Sequence, residues 1–180
     1  MTPPDLDQWL EDPAIRVVHR RDSRVPADRL WDAAQTVTLQ QAALLGRLIR
    51  WRIPGTRGDL SFAELFSNPP FIILHEPPGE RAIVSGLVGR IWTLRRDYPR
   101  LSDPDQFRGW SRRGTARVLI ANWVDQGEHE SSTLTSEARV EAIGTQGRMG
   151  VAAVRPLVKT FQNLIGSDGI EAAVRRAEQR

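Results

Sequence analysis

Cysteine is absent from this 180-residue chain. That single absence excludes a disulfide framework, thiolate zinc sites and a cysteine nucleophile, and it fits a reducing compartment. Long apolar runs are missing as well, and none approaches the ~20 residues that a membrane-spanning helix needs. The N-terminus, "MTPPDLDQWLEDP", is acidic and has no apolar core, so it does not read as a secretory signal and the cytoplasm is the expected location. Lysine is almost missing: of 25 basic residues, Lys159 is the one lysine. The arginines are spread from Arg16 to Arg180. Nucleic-acid binders gather their cations into a footprint with interleaved aromatics, so no nucleic-acid partner is expected.

Catalytic and metal motifs are equally scarce. "GTRGD" lacks the lysine and the helix context of a phosphate-binding loop. "GWSRRG" is spaced one residue too long for a nucleophile elbow, and no helix pattern follows it. None of His19, His75 and His129 has a second histidine or a carboxylate at a helical ligand spacing. His75 and Glu76 are neighbours on a strand and so point to opposite faces. The three histidines therefore read as satisfied or surface residues, and neither a metal nor a cofactor is expected.

What is present is ordinary for a globular protein: 40% hydrophobic and 26% charged residues, with net charge +3. The length suits one domain over residues 1–180, with residues 1–13 as a loosely attached N-terminal segment. "IRVVHRRDSRV" reads as a first strand, and "PADRLWDAA" as a helix opened by Pro26. A second helix is expected over residues 40–51 and a short helical turn at "LSFAELF". "FIILHE" and residues 80–95 read as a hairpin around Pro77, Pro78 and Gly79. "FRGWSRRG" is ambiguous. Two long strands follow, over residues 115–127 and 130–144. In the second, Leu134, Ala138, Val140 and Ala142 face one way, and Thr133, Thr135, Glu137, Arg139 and Glu141 the other, as in a strand with one core face and one wet or salt-bridged face. Residues 148–165 carry a helical stripe of Ala153, Val154, Leu157, Val158, Phe161, Leu164 and Ile165, with Pro156 as a kink or late start. A last helix is expected at "IEAAVRRAEQR".

Strands in a run followed by one long amphipathic helix suggest an α+β fold. The sheet must curve to cover the helix stripe, and Gly86 and Gly89 in "SGLVGRIW" are the residues that permit it. Replacement of Gly89 is expected to be damaging because the position needs positive φ or close backbone approach.

On "FIILHEPPGERAIVSGLVGRIW", "GTARVLIANWV", "STLTSEARV" and the C-terminal helix, the chain resembles the START-like helix-grip superfamily, also called SRPBCC or polyketide-cyclase-like, with the closer likeness to bacterial members. The resemblance covers residues 71 onward plus the first strand. It implies a curved antiparallel sheet wrapped around a long C-terminal helix, with short helices after the first strand. It further implies a cavity between sheet and helix for a hydrophobic small molecule, used for binding or carriage. Cyclase/aromatase-type chemistry on a polyketide-like substrate in the same cavity is the alternative. The cavity-lining positions implied are Phe71, Ile73, Ile83, Trp92, Val118, Ile120, Leu134, Leu157 and Phe161. An interior filled by side chains, with the glycines serving curvature alone, is equally compatible with the residues.

Glu137, Arg139 and Glu141 read either as a cross-strand ladder in solvent or as a polar anchor or acid/base pair for a ligand. For catalysis the nameable groups are Arg139, Glu137, His75 and Tyr98, and no pair among them has a telling spacing. The six tryptophans can pack a core or line a pocket. Trp51, among the arginines of "RLIRWRIPG", could make transient contact with an anionic membrane or could simply end a helix.

Overall fold

The computed structural model describes residues 3–41, 47, 57–93, 97–164 and 169–179, with the backbone alone for residue 62 and residues 157–164. The helix expected over residues 40–51, Trp51 included, and the side chains of Leu157 and Phe161 lie outside what is described.

Among the described residues ten elements follow one another: β1 (Ile15–Ser23), α1 (Ala27–Thr36), α2 (Phe62–Ser67), β2 (Ile72–His75), β3 (Ala82–Gly89), α3 (Pro104–Arg108), β4 (Thr115–Gln126), β5 (Ser132–Ile143), α4 (Gly144–Leu164) and α5 (Ile170–Glu178). The strands make one antiparallel sheet in the order β1-β5-β4-β3-β2. The long helix α4 packs on β5, β4 and β1. The fold is α+β, a five-stranded antiparallel sheet with a long C-terminal helix against it. No helix among the described residues is long and apolar enough to cross a membrane.

Strand alternation sends successive side chains to opposite faces, and both faces of this sheet are covered. The concave face carries two clusters. One joins Ile15, Leu87, Val118, Ile120, Ala138 and Val140 to Phe66 of α2 and Val151 of α4. The other joins Val124 and Leu134 to α1 through Leu30 and Ala33, and to α5 through Ile170, Ala173 and Val174. The convex face carries a third cluster, in which Val84, Val88, Leu119, Ala121 and Trp123 meet Phe107 of α3 and Leu6, Trp9 and Leu10.

That third cluster corrects one expectation. Residues 1–13 are not loosely attached at their centre, because Leu6, Trp9 and Leu10 are 4%, 7% and 1% exposed. They form a strap across the convex face, and its apolar side chains have no other surface to cover. Of the two alternatives for the second face of β5, wet or salt-bridged, it is the salt-bridged one, with Glu137 and Arg139 buried and Arg139 held by Asp7 and the Leu10 carbonyl of the strap.

The two glycines of "SGLVGRIW" are required for separate reasons. Gly86 points to the convex face, and a Cβ there would lie 2.7 Å from the ring of Phe107. Its missing side chain is the seat of a fully buried aromatic. Gly89 has φ +146, and a Cβ there would collide with the carbonyl oxygen of Asp97. That conformation is open to glycine and closed to a branched residue. The strand therefore ends at Gly89, short of the expected residue 95. Trp92 falls in the turn beyond it and lies against Gly150 of α4.

Along the described part of α4 the expected stripe is met in part. Val151 is buried and Val154 half-buried, while Ala153 is exposed. An alanine at the edge of a stripe carries too little apolar area to set which way the helix turns.

Candidate functional site

The two concave clusters do not merge. Between them the floor of the sheet changes character. Ile120 belongs to the first cluster and Val124 to the second, and Asn122 lies between them in the same phase of β4. On β5, Ser136 lies between Ala138 and Leu134 in the same way. Asn122 pairs with Ser136, and Ser136 pairs with His19 of β1. A polar row of His19, Ser136 and Asn122 therefore crosses three strands along the seam. Ile83 ends the row on β3, and Ser85 lies one step along the same face.

A cavity of about 60 Å³, open on one side, lies above this seam. Its walls are Trp31, Ala34, Gln35 and Val37 from α1 and its end, Ala63 and Phe66 from α2, Gly169, Ile170 and Ala173 at α5, and Ile83, Asn122 and Leu134 from the sheet. The lining is apolar apart from Gln35 and Asn122. Full ligand pockets span several hundred Å³. A space of this size holds a few waters, a small ring or one end of a larger molecule.

The polar groups at the seam are short of partners. Among the described residues, the Ser85 hydroxyl and His19 Nε2 are buried and accept or donate no hydrogen bond. Buried polar atoms are bonded in the great majority of cases, so each such atom asks for a partner.

Apart from the exposed Arg21, the charged residues of the sheet lie on the opposite face, and Arg139, Glu137, Arg117 and Glu141 are paired there. Arg139, 5% exposed, donates through Nε to Glu137 Oε1 at 2.6 Å, and through Nη1 to Asp7 Oδ1 at 2.5 Å and to the Leu10 carbonyl at 2.7 Å. Glu137, 4% exposed, also accepts from Arg16 Nε at 2.8 Å. Burial acts to lower the Arg139 pKa, but the hydrogen bonds to Asp7 and Glu137 outweigh it and hold the guanidinium above its ordinary value. Arg117 donates to Glu141 at 2.5 Å and to the Arg108 carbonyl at 2.9 Å. The Arg108 guanidinium stands 4.5 Å from the centre of the Trp9 ring. These contacts fasten the strap and α3. The ladder expected in solvent is a buried network, and it faces away from the cavity.

The sequence-derived lining positions separate accordingly. Ile83 and Leu134 line the cavity. Val118 and Ile120 are buried in the first concave cluster, with Phe71 and Trp92 packed against it. Ile73 is half-buried on the concave side, opposite Ser85. Of the four nameable catalytic groups, Glu137 and Arg139 belong to the convex network, His75 is exposed at the end of β2, and Tyr98 packs beside Gly89. They do not converge.

His19 is the correction among the histidines, since it is neither satisfied nor a free surface residue. The sequence reading also passed over Gln35, Asn122 and Ser85. A signal existed: Asn122 and Ser85 each interrupt an apolar phase of a strand, in "VLIANWV" and "IVSGLV".

No family model and no curated protein matches the chain. Solved structures share a distant likeness. Norcoclaurine synthase from Thalictrum flavum, in complex with dopamine and hydroxybenzaldehyde, is 12% identical, with 100% of this chain and 96% of that chain covered at a TM-score of 0.47. The hypothetical protein jhp0584 from Helicobacter pylori is 7% identical, with coverages of 98% and 99% and a TM-score of 0.45. Zhui aromatase/cyclase from Streptomyces sp. R1128 is 16% identical, with coverages of 90% and 94% and a TM-score of 0.36. Likenesses this distant do not carry residue roles across, and the site is read from its own geometry.

Proposed function

We propose that the chain binds a small, mainly apolar molecule at the seam between α1, α5 and the concave face. The observation that carries this reading is the cavity itself. Its apolar walls include the indole of Trp31 and the ring of Phe66, and it opens onto the two polar side chains Gln35 and Asn122. Apolar walls with a few placed polar groups are the general form of a small-molecule site. The long helix α4 supports the sheet beside this site, and none of its described side chains lines the cavity. Binding is favoured over cyclase-type catalysis because Arg139, Glu137, His75 and Tyr98 lie apart and none of them lines the cavity.

Mass spectrometry of small molecules extracted from the purified protein tests the reading. An apolar molecule recovered from wild type and lost from an Ala34→Phe variant, in which the cavity wall is filled, is the expected result. Absence of any extracted molecule, together with no measurable binding of benzene by wild type, would overturn it.

A further inference from the structure

The seam also specifies the chemistry of its ligand. Building on the binding site proposed above, we infer that it takes an uncharged molecule, a ring-sized apolar body carrying a hydroxyl, and that Asn122 and Gln35 hold that hydroxyl while the row Ser136–His19 and the neighbouring Ser85 extend the polar floor behind it.

Three observations converge. The first is charge. On β2, β3, β4 and β5 the concave positions are Ile73, Ile83, Ser85, Leu87, the even-numbered residues 116–124 and the even-numbered residues 134–142, and none is charged. On β1 the one full charge in this phase is Arg21, which is exposed at the sheet edge opposite Leu134. Glu137, Arg139, Arg117 and Glu141 all project to the convex side and are paired there. The sheet offers a charged ligand no buried counter-charge in this apolar space, which makes its entry strongly unfavourable.

The second is the hydrogen-bond inventory. Gln35 and Asn122 are the polar side chains among the described lining residues, and a carboxamide offers both a donor and an acceptor. Neither makes a side-chain hydrogen bond to another described residue. A hydroxyl both donates and accepts, so it satisfies one atom of each amide, whereas a hydrocarbon leaves both amides unpaired. The Ser85 hydroxyl, in a residue 1% exposed, and His19 Nε2 are unpaired on the same face. These groups lie together along one seam beside the cavity, unlike the scattered unpaired atoms Trp9 Nε1, Asp125 Oδ1 and Arg176 Nε, and they mark the place where a partner from outside is received.

The third is size. About 60 Å³ between Trp31, Phe66 and Ile170, open on one side, admits the end of a chain or the edge of a single ring whose remainder stays outside. Water is the competing occupant, because a few molecules fit the same volume.

The test uses the full chain, labelled with nitrogen-15, and follows the side-chain amide resonances of Asn122 and Gln35. Phenol, benzene and benzoate are titrated as probes: one ring with a neutral hydroxyl, with no polar group and with a charge. Phenol is expected to shift both amide pairs saturably, benzene to bind at least tenfold more weakly, and benzoate not to bind. Asn122→Leu is expected to weaken phenol about tenfold while benzene binding is kept or improved. If that variant does not fold, Gln35→Leu, on a half-buried helix position, carries the same test. Equal affinity for phenol and benzene overturns the inference and leaves the apolar site standing. Benzoate binding as tight as that of phenol overturns the neutrality argument. No binding of any probe leaves the seam to water and overturns both readings.

Discussion

The two faces of one strand, β5, treat polar residues in opposite ways. Glu137 and Arg139 point to the convex side, are almost fully buried, and are paired with each other and with Arg16, Asp7 and the Leu10 carbonyl. Ser136, between them in sequence, points to the concave side and lies in a row with His19 and Asn122 beside a cavity. On the convex side Glu137 and Arg139 find their partners within the chain, in the strap and on a neighbouring strand. On the concave side two helical clusters approach from either end and leave a gap. The lesson is that charge and burial do not by themselves identify a site. The most conspicuous buried charges of this protein are fastenings, and the neutral groups without partners are the ones free to meet a ligand.

The comparison can be broken at its strongest point first. Glu137→Ala leaves the buried Arg139 guanidinium with its exposed partner Asp7 and one carbonyl, and is expected to cost about 3–5 kcal/mol, as other broken buried pairs do. Urea denaturation measures it, and a loss below about 1 kcal/mol, ordinary for an unremarkable substitution, would show that the network does not hold the strap. Gly89→Val tests the bend that separates the faces. With φ +146 and the Asp97 carbonyl in the way, backbone strain of about 1–3 kcal/mol is expected in the same assay. An unchanged midpoint would mean that the turn relaxes freely.

Smaller effects sharpen the contrast. Arg16 reaches Glu137 from a side chain that is 57% exposed. Arg16→Ala should therefore cost about 0.5 kcal/mol, the scale of an exposed ion pair. A loss approaching that of Glu137→Ala would show that the network is weakest at its rim. Ser85→Ala removes a buried hydroxyl that has no partner. Its effect on unfolding should lie within about 0.5 kcal/mol or be stabilising, because no hydrogen bond is lost with it. A clear destabilisation would reveal a partner inside the protein and remove Ser85 from the set awaiting a ligand.

The β2–β3 and β4–β5 hairpins, the alternation of β5 and the order of the elements other than α3 were legible along the chain, because those signals are local: turn residues, period-two patterning and a helical stripe. The sequence also marked Gly89 as intolerant of a side chain, since few positions inside an apolar strand select glycine without a backbone reason. Only the tertiary structure decided which face of β5 was covered. Nothing local in "DLDQWL" says that residues 6–10 will lie across Trp123 and Leu119 and turn a wet face into a buried one. The site was decided at the same level. Asn122, Ser136 and His19 are separated along the chain and become one row through strand register alone, and Gln35 and Trp31 meet them because α1 packs over β4 and β5. A cavity is the space that packing elements fail to fill, so it depends on the relative placement of α1, α2, α5 and the sheet, which is not written in the pattern of any one of them.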